Sequence, residues 1–318
     1  MGDFKLMNKT IDLYLISGFL GAGKTTLVKQ LLENSTDKKI GVIMNEFGKV
    51  SIDGPILKRD HMEMIELTRG SIFCSCLTMA FAEALVEMAG KDLDYLLVES
   101  SGLADPSNIG EILAGVDHSI SNPYHYAGSI TVVDASQFLN QWESLETVVK
   151  QIECADLTLI NKIDLVEDKA LEEIRTKIKA IQPQSQIIES SYFKNLEKIL
   201  GKDWSGGKYP ALKQSINTPE NKPKSLTLHF ESDLSKEALE SWMHAILKDS
   251  FRVKGFVQCE NQWWEVHGVG DCVDFYETDR KFESSTLVII SKIGPSIIKI
   301  VDSTWKSQLG IPMKMVNG

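Results

Sequence analysis

The sequence has no excess of positive charge: 34 Lys and Arg stand against 44 Asp and Glu, a net charge of −10 at pH 7 over 318 residues. It also has no run of five basic residues. The electrostatic footprint of a nucleic-acid binder is therefore missing, and no nucleic-acid partner is expected. Histidine is scarce, with six in the chain. The five cysteines, Cys74, Cys76, Cys154, Cys259 and Cys272, are odd in number and spread over a large chain. That excludes a small disulfide scaffold and points to a reducing compartment. No apolar stretch reaches the roughly 20 residues of a membrane-spanning helix. The segment Ile11–Leu20 runs straight into a glycine loop without the small-residue cleavage pattern of a signal peptide. Leu6 stands where a myristoylation signal has Ser or Thr. A soluble cytoplasmic protein with no membrane partner is the expectation.

What the chain does have is alternation. Apolar runs at Ile11–Ile16, Lys39–Met44, Leu93–Val98, Ser129–Val133 and Leu157–Ile160 read as strands. Segments of helical spacing follow at Lys24–Leu32, Leu77–Ala89 and Leu165–Ile181. Continuous apolar strands between helices predict an α/β fold, a mainly parallel sheet flanked by helices. After about residue 200 the pattern changes. Gly201–Lys224 is rich in Gly, Lys, Ser, Asn and Pro and reads as a linker. Beyond it, strands at Ser225–Phe230, Phe251–Gln258, Gln262–Val266 and Thr286–Ser291 and helices at Lys236–Lys248 and Pro295–Gln308 predict a smaller α+β domain. The expected organisation is thus 1–200, linker 201–224, and 225–318.

Gly18-Phe-Leu-Gly-Ala-Gly-Lys24-Thr25 fits G-x-x-x-x-G-K-[ST], between a predicted strand and a predicted helix. Such a loop curls backbone N–H groups around phosphate oxygens at a helix N-terminus. Gly21, Ala22, Gly23, Lys24, Thr25 and Thr26 are the expected phosphate-binding residues. Lys24 is expected to reach the β/γ-phosphates and Thr25 to ligate Mg²⁺. Asn161-Lys162-Ile-Asp164 follows another predicted strand. A carboxylate there can accept hydrogen bonds from N1–H and the exocyclic amine of guanine, donors that adenine does not offer at those positions. Asp164 is thus expected to select GTP, with Lys162 over the base and Asn161 bracing the loop. Asp164 as a helix cap is the non-functional alternative. Glu99, in Glu99-Ser-Ser-Gly102, ends the apolar strand at Leu93–Val98. It is expected to hold Mg²⁺ through water, with the Gly102 N–H sensing a γ-phosphate.

Asn45-Glu46-Phe-Gly48 follows the second predicted strand, and Cys74-Ser-Cys76 precedes the helix at Leu77–Ala89. Two thiols beside a helix N-terminus gain thiolate character. With the Glu46 carboxylate they form a candidate site for Zn²⁺ or Co²⁺; two buried free thiols are the alternative. Glu46 is also the candidate for orienting the attacking water. His118 and His125, in Asp117–Tyr126, read as solvated loop residues, with metal ligation as the alternative. Of the pair Trp263–Trp264, one is expected in the core and the other facing outward.

Taken together, G-F-L-G-A-G-K-T-T-L, N-E-F-G, E-S-S-G-L-A-D-P, V-D-A (Val133–Ala135) and N-K-I-D occur in the order found in the CobW family. The chain resembles a P-loop GTPase of that family, including its YjiA-type metal-binding members, and Gly255 and Trp263–Trp264 resemble its C-terminal domain. The resemblance implies a GTP-hydrolysing metallochaperone or metalloenzyme-maturation factor. Its catalytic residues would be Lys24, Glu99 and Glu46, its metal ligands Thr25, Glu99, Glu46, Cys74 and Cys76, and its cofactors GTP/GDP with Mg²⁺ and Zn²⁺ or Co²⁺. The implied partner is a client metalloenzyme or cofactor-binding protein, and a homodimer is compatible with it.

The chain departs from the family pattern in two places. The family carries C-x-C-C directly after a glycine. Aligned on Gly70, Ser71 and Phe73 replace two thiols, Cys74 remains and Cys76 is additional. The histidine-rich stretch that many relatives place between domains has no counterpart, since the expected linker contains no histidine. These departures favour a rival reading, a metal-independent GTP-gated switch acting on a cofactor-dependent enzyme such as one carrying a corrinoid. A small-molecule kinase is the third reading, and N-K-x-D argues against it.

Overall fold

A computed structural model of the chain describes residues 9–45, 62–67, 78–142, 145–193, 199–208, 210 and 224–317. The chain divides into two compact units, Met1–Asn221 and Lys222–Gly318.

The first unit runs β1 (Ile11–Gly18), α1 (Lys24–Glu33), β2 (Ile40–Asn45), β3 (Met62–Leu67), α2 (Thr78–Ala89), β4 (Tyr95–Glu99), α3 (Ile109–Val116) and β5 (Tyr124–Asp134). It continues through a short α4 (Phe138–Gln141), α5 (Glu146–Glu153), β6 (Leu157–Asn161), α6 (Asp168–Ile181) and β7 (Gln186–Glu189). Its seven described strands lie in the order β3-β2-β4-β1-β5-β6-β7, and every pairing is parallel. This is the P-loop NTPase arrangement.

β1 is central and buried on both faces, which is why it reads as an unbroken apolar run. Tyr14 and Ile16 point into one core with Leu27, Val28 and Leu31 of α1. Ile11, Leu13 and Leu15 point into the other, with Phe81 and Leu85 of α2 and Ile112 and Leu113 of α3. Each such side chain contributes roughly 1.5–3 kcal/mol on burial.

Five elements of this unit escape a periodicity reading: β3, α3, the short α4, α5 and β7. β3 and β7 are the edge strands and are only half-buried, so they lack a continuous apolar signal. β5 begins at Tyr124, ahead of its apolar run, and its register shifts opposite Leu13/Tyr14, leaving Ala127 outside the pairing. The Ala127 carbonyl accepts instead from the Trp204 N–H at 2.7 Å. Trp204 is buried in the same core as α1. The start of the segment that reads as a linker is therefore built into this unit, because one indole supplies enough apolar area to anchor a glycine- and lysine-rich stretch.

The second unit comprises β8 (Ser225–Phe230), α7 (Lys236–Leu247), β9 (Ser250–Cys259), β10 (Gln262–Val269), β11 (Cys272–Glu277), β12 (Ser285–Ser291), α8 (Ile297–Gln308) and β13 (Lys314–Asn317). Its six described strands, in the order β11-β10-β9-β12-β8-β13, pair antiparallel throughout. Leu239, Trp242 and Met243 of α7 and Val301 and Trp305 of α8 share one core with alternate strand residues such as Leu228, Val253, Val257 and Leu287. Trp242 and Trp305 meet edge to face at 4.7 Å. Ser235 caps α7, its hydroxyl accepting from the Ala238 N–H at 3.2 Å. Trp264 packs against this core, whereas Trp263 meets Phe282. Among the described residues, no helix is long and apolar enough to cross a membrane.

Candidate functional site at the carboxyl edge of the parallel sheet

In a parallel sheet every strand ends on the same edge, so the loops after β1, β4, β5 and β6 emerge side by side. The first of these is the glycine loop. Gly23 takes a left-handed conformation (φ 108°) and caps α1. A Cβ at Gly23 would fall 2.8 Å from Asn161 Nδ2 and 3.1 Å from the Phe193 ring, so two other loops close against the phosphate loop there. Lys24 is buried and its ammonium donates to the carbonyls of Gly18 at 2.9 Å and Phe19 at 3.1 Å. Thr26 is exposed on the first turn of α1.

Glu99 ends β4 in register with Ile16 of β1 and Met44 of β2. Its buried carboxylate accepts from the Thr25 hydroxyl at 2.8 Å. The two residues expected to position Mg²⁺ are thus brought together, and two hard oxygen donors suit that ion. The next loop folds back over the phosphate loop. Ser100 donates to the Ile16 carbonyl through both its N–H and its hydroxyl. Gly102 approaches so closely that a Cβ would lie 2.7 Å from the Leu20 backbone nitrogen. From α5, the Gln151 amide donates to the carbonyls of Gly102 at 3.3 Å and Ala104 at 2.9 Å. Gln151 is a support that motif reading missed, since nothing local marks a helix glutamine as a loop brace.

Asn161 ends β6, buried, and its Nδ2 donates to the Ala22 carbonyl at 3.0 Å. This ties the base-side loop to the phosphate loop. Asn161 Oδ1 makes no hydrogen bond with the described residues. Lys162 is left-handed (φ 61°) and its ammonium pairs with Asp134 at 2.6 Å. Asp164 lies in a single turn, Ile163–Leu165, exposed, with Oδ1 accepting from the Ser191 hydroxyl at 2.6 Å. It does not cap α6, whose N-cap is Glu167. Ser191 was not singled out by sequence, and Asp134 entered only as part of the V-D-A resemblance, with no role given. Asp134 carried the same signal as Glu99, a carboxylate at the carboxyl end of an apolar strand.

Glu46, Cys74 and Cys76, with Ser71 and Phe73, lie outside the described residues. Among the described residues no group of three or more His, Cys, Asp or Glu is placed to hold a metal ion. His125 is not a loop residue: it sits on β5 opposite Asp12, at the amino edge of the sheet. Its Nδ1 lies 2.9 Å from the Asp12 carboxylate. His118 lies in the turn Asp117–Ser119 after α3 and is exposed.

Residues 12–189 match the family model described as CobW/HypB/UreG, nucleotide-binding domain. The chain belongs to the CobW/HypB/UreG family. Residues 224–299 match the cobalamin synthesis protein cobW C-terminal domain. Among curated relatives, this CobW-family chain is 30% identical over 213 residues to "Zinc-regulated GTPase metalloprotein activator 1" of Dictyostelium discoideum, covering 56% of this chain and 45% of that one. It is 33% identical over 210 residues to "Zinc chaperone CobW" of Pseudomonas aeruginosa, covering 56% of each. The chain spans about half the length of the curated relatives it matches. A solved structure, the Zn(II)-bound YjiA GTPase from E. coli, aligns over 94% of this chain and 99% of its own, at 21% identity and a TM-score of 0.49.

Proposed function

We propose that this chain binds and hydrolyses GTP and couples that cycle to delivery of a metal, or to maturation of a client metalloenzyme. The observation that carries the reading is the convergence of three groups at one sheet edge. They are the glycine loop with Lys24, the Thr25–Glu99 pair at 2.8 Å, and the Asn161–Asp164 loop braced on Ala22 at 3.0 Å. Gly21, Ala22, Gly23, Lys24, Thr25 and Thr26 take the phosphates; Asn161, Lys162 and Asp164 take the guanine. Thr25 and Glu99 would hold Mg²⁺, which offsets the charge that develops during phosphoryl transfer. The names of the curated relatives, a zinc chaperone and a zinc-regulated metalloprotein activator, support a metal cargo. Glu46, Cys74 and Cys76 are its proposed ligands, and two thiolates with one carboxylate leave a fourth position open for transfer. Cys259 and Cys272 are free thiols, in keeping with a cytoplasmic setting.

Product analysis tests the nucleotide half. Free phosphate is expected from GTP far faster than from ATP, and equal use of both, or transfer to an acceptor, overturns it. Zn²⁺ titration of wild type and Cys74→Ser/Cys76→Ser, each with GDP and a non-hydrolysable GTP analogue, tests the metal half. Because binding free energies are coupled reciprocally, nucleotide should change the wild-type Zn²⁺ affinity and the double variant should lose it. Identical affinities favour the metal-independent switch, the reading supported by Ser71 and Phe73 at thiol positions.

A further inference from the structure

The base-side loop has three functional side chains, and each is held by a different partner. Asn161 holds the Ala22 carbonyl of the phosphate loop, and Asp164 accepts from Ser191. Lys162 reaches the neighbouring strand end, and the reach is set by sheet register. Asp134 of β5 stands directly opposite Asn161 of β6, and the Ala135 N–H donates to the Asn161 carbonyl at 3.0 Å. The residue after Asn161 therefore starts level with the Asp134 carboxylate.

That carboxylate is 7% exposed and its two oxygens are divided. Oδ1 accepts from the Ser136 N–H at 2.9 Å and the Ser136 hydroxyl at 2.7 Å. Oδ2 accepts from the Lys162 ammonium at 2.6 Å. A charge this far from water is stabilised by its ion pair, and removing the Lys162 ammonium leaves the buried carboxylate without its counter-charge. The backbone carries a second, independent mark. Lys162 is left-handed, φ 61° and ψ 35°, a conformation disfavoured for a residue with a Cβ. Such a residue persists where its surroundings over-determine it, typically at a ligand site.

We propose that Asp134 is a positioning residue for nucleotide recognition. It anchors the Lys162 ammonium, so that the lysine stem is already fixed as a wall of the base site before nucleotide arrives. A free lysine has among the largest rotamer entropies of any side chain, and ordering it on binding weakens affinity. With the ammonium held by Asp134, that ordering belongs to folding. The inference rests on the guanine-nucleotide reading above and adds to it a residue outside the N-K-x-D motif.

The test uses the full chain and a fluorescent GDP analogue, with KM and kcat for GTP measured alongside. Asp134→Asn keeps an oxygen for Ser136 and removes the charge facing Lys162. Lys162→Met keeps the stem and removes the anchor. Each is expected to weaken binding about tenfold, with the fall in kcat/KM carried by KM. The double variant should be no weaker than the worse single, because both remove one interaction. Asp134→Glu should recover most of the affinity. Wild-type affinity in Asp134→Asn, multiplying losses in the double variant, or a loss carried by kcat each overturns the proposal. So does a lowered melting midpoint in Asp134→Asn that falls with affinity and is not rescued by Asp134→Glu. A wild-type chain that does not bind the guanine probe refutes the nucleotide reading itself, a result seen before any variant is made.

Discussion

The two units of this chain solve the same packing problem with opposite sheets. In the first, the described strands all run parallel, and the central one is buried by helices on both faces. In the second, the described strands alternate in direction, and α7 and α8 share one core with one face of the sheet. A parallel sheet sends all its strand ends to one edge, so Gly18, Glu99, Asp134 and Asn161 become neighbours through topology alone. An antiparallel sheet sends successive ends to opposite edges, so only alternate strand ends meet on one edge. Its polar cluster, Lys254 and His267 on either side of Glu265, lies instead on a sheet face, on β9 and β10. The unit with the site is built from aliphatic strands, and the other carries the paired tryptophans Trp242 and Trp305. The comparison teaches that strand direction, rather than core composition, decides which unit can assemble a site from scattered loops.

The sharpest separation of the units is expected from Lys24→Ala. Removing the ammonium that lies over the Gly18 and Phe19 carbonyls should lower GTP hydrolysis by about a thousandfold or more. The unfolding of the second unit should be unchanged, as read by phosphate release and by hydrogen exchange.

Next in size are two aromatic truncations. Phe193, 1% exposed, and Trp305, 0% exposed, are both core residues, and replacement of either by alanine is expected to cost roughly 3–5 kcal/mol in a denaturant titration. Only Phe193→Ala should also weaken nucleotide binding, because its ring abuts Gly23. Equal losses of affinity in the two variants would break the comparison.

Asp164→Ala is expected to weaken GTP binding by about 10- to 100-fold, roughly 1.5–3 kcal/mol, with little gain for ATP, as measured by competition for a guanine probe. Wild type that binds ATP as well as GTP would remove the basis for this prediction.

The smallest effect is a pair of opposite pH slopes. Burial raises the Asp156 carboxyl above its ordinary value of 3.8, against its hydrogen bond from the Ser129 N–H. A proton then binds the folded form more tightly, so Asp156 favours folding in acid and loses that contribution as pH rises through its folded value. For Glu265, burial also pushes upward, but the His267 hydrogen bond and the Lys254 charge outweigh it and leave the carboxyl below its ordinary 4.5. Its contribution is complete above 4.5 and is lost as pH falls through the depressed value. Hydrogen exchange followed unit by unit between about pH 3 and pH 6 should show opposite slopes of less than about 1 kcal/mol. Asp156→Asn should flatten the first and Glu265→Gln the second; slopes of the same sign would contradict the assignment.

Much of the site was legible because its parts are local. A strand, a glycine loop and a helix N-terminus occupy consecutive residues, so Gly18–Thr25 announces its own context, and N-K-x-D does the same at the end of β6. Half-buried edge strands were illegible, since β3 exposes the adjacent Glu63 and Met64 as well as Glu66 and so shows no clean alternation. The candidate ligands Glu46, Cys74 and Cys76 lie outside the described residues and stand on spacing alone.

Residue type and short-range spacing by themselves determined the α/β class and marked Gly18–Thr25 and Asn161–Asp164 as the candidate phosphate and base loops, because each depends on contacts within a few residues along the chain. Only the tertiary structure decided that Asp134 holds Lys162, 28 residues away. It also decided that Gln151 braces the loop at Gly102–Ala104 and that Trp204 closes the gap at Ala127. Those contacts join strand ends and loops that the parallel register lays side by side, and neither apolar periodicity nor a local motif encodes which strands become neighbours.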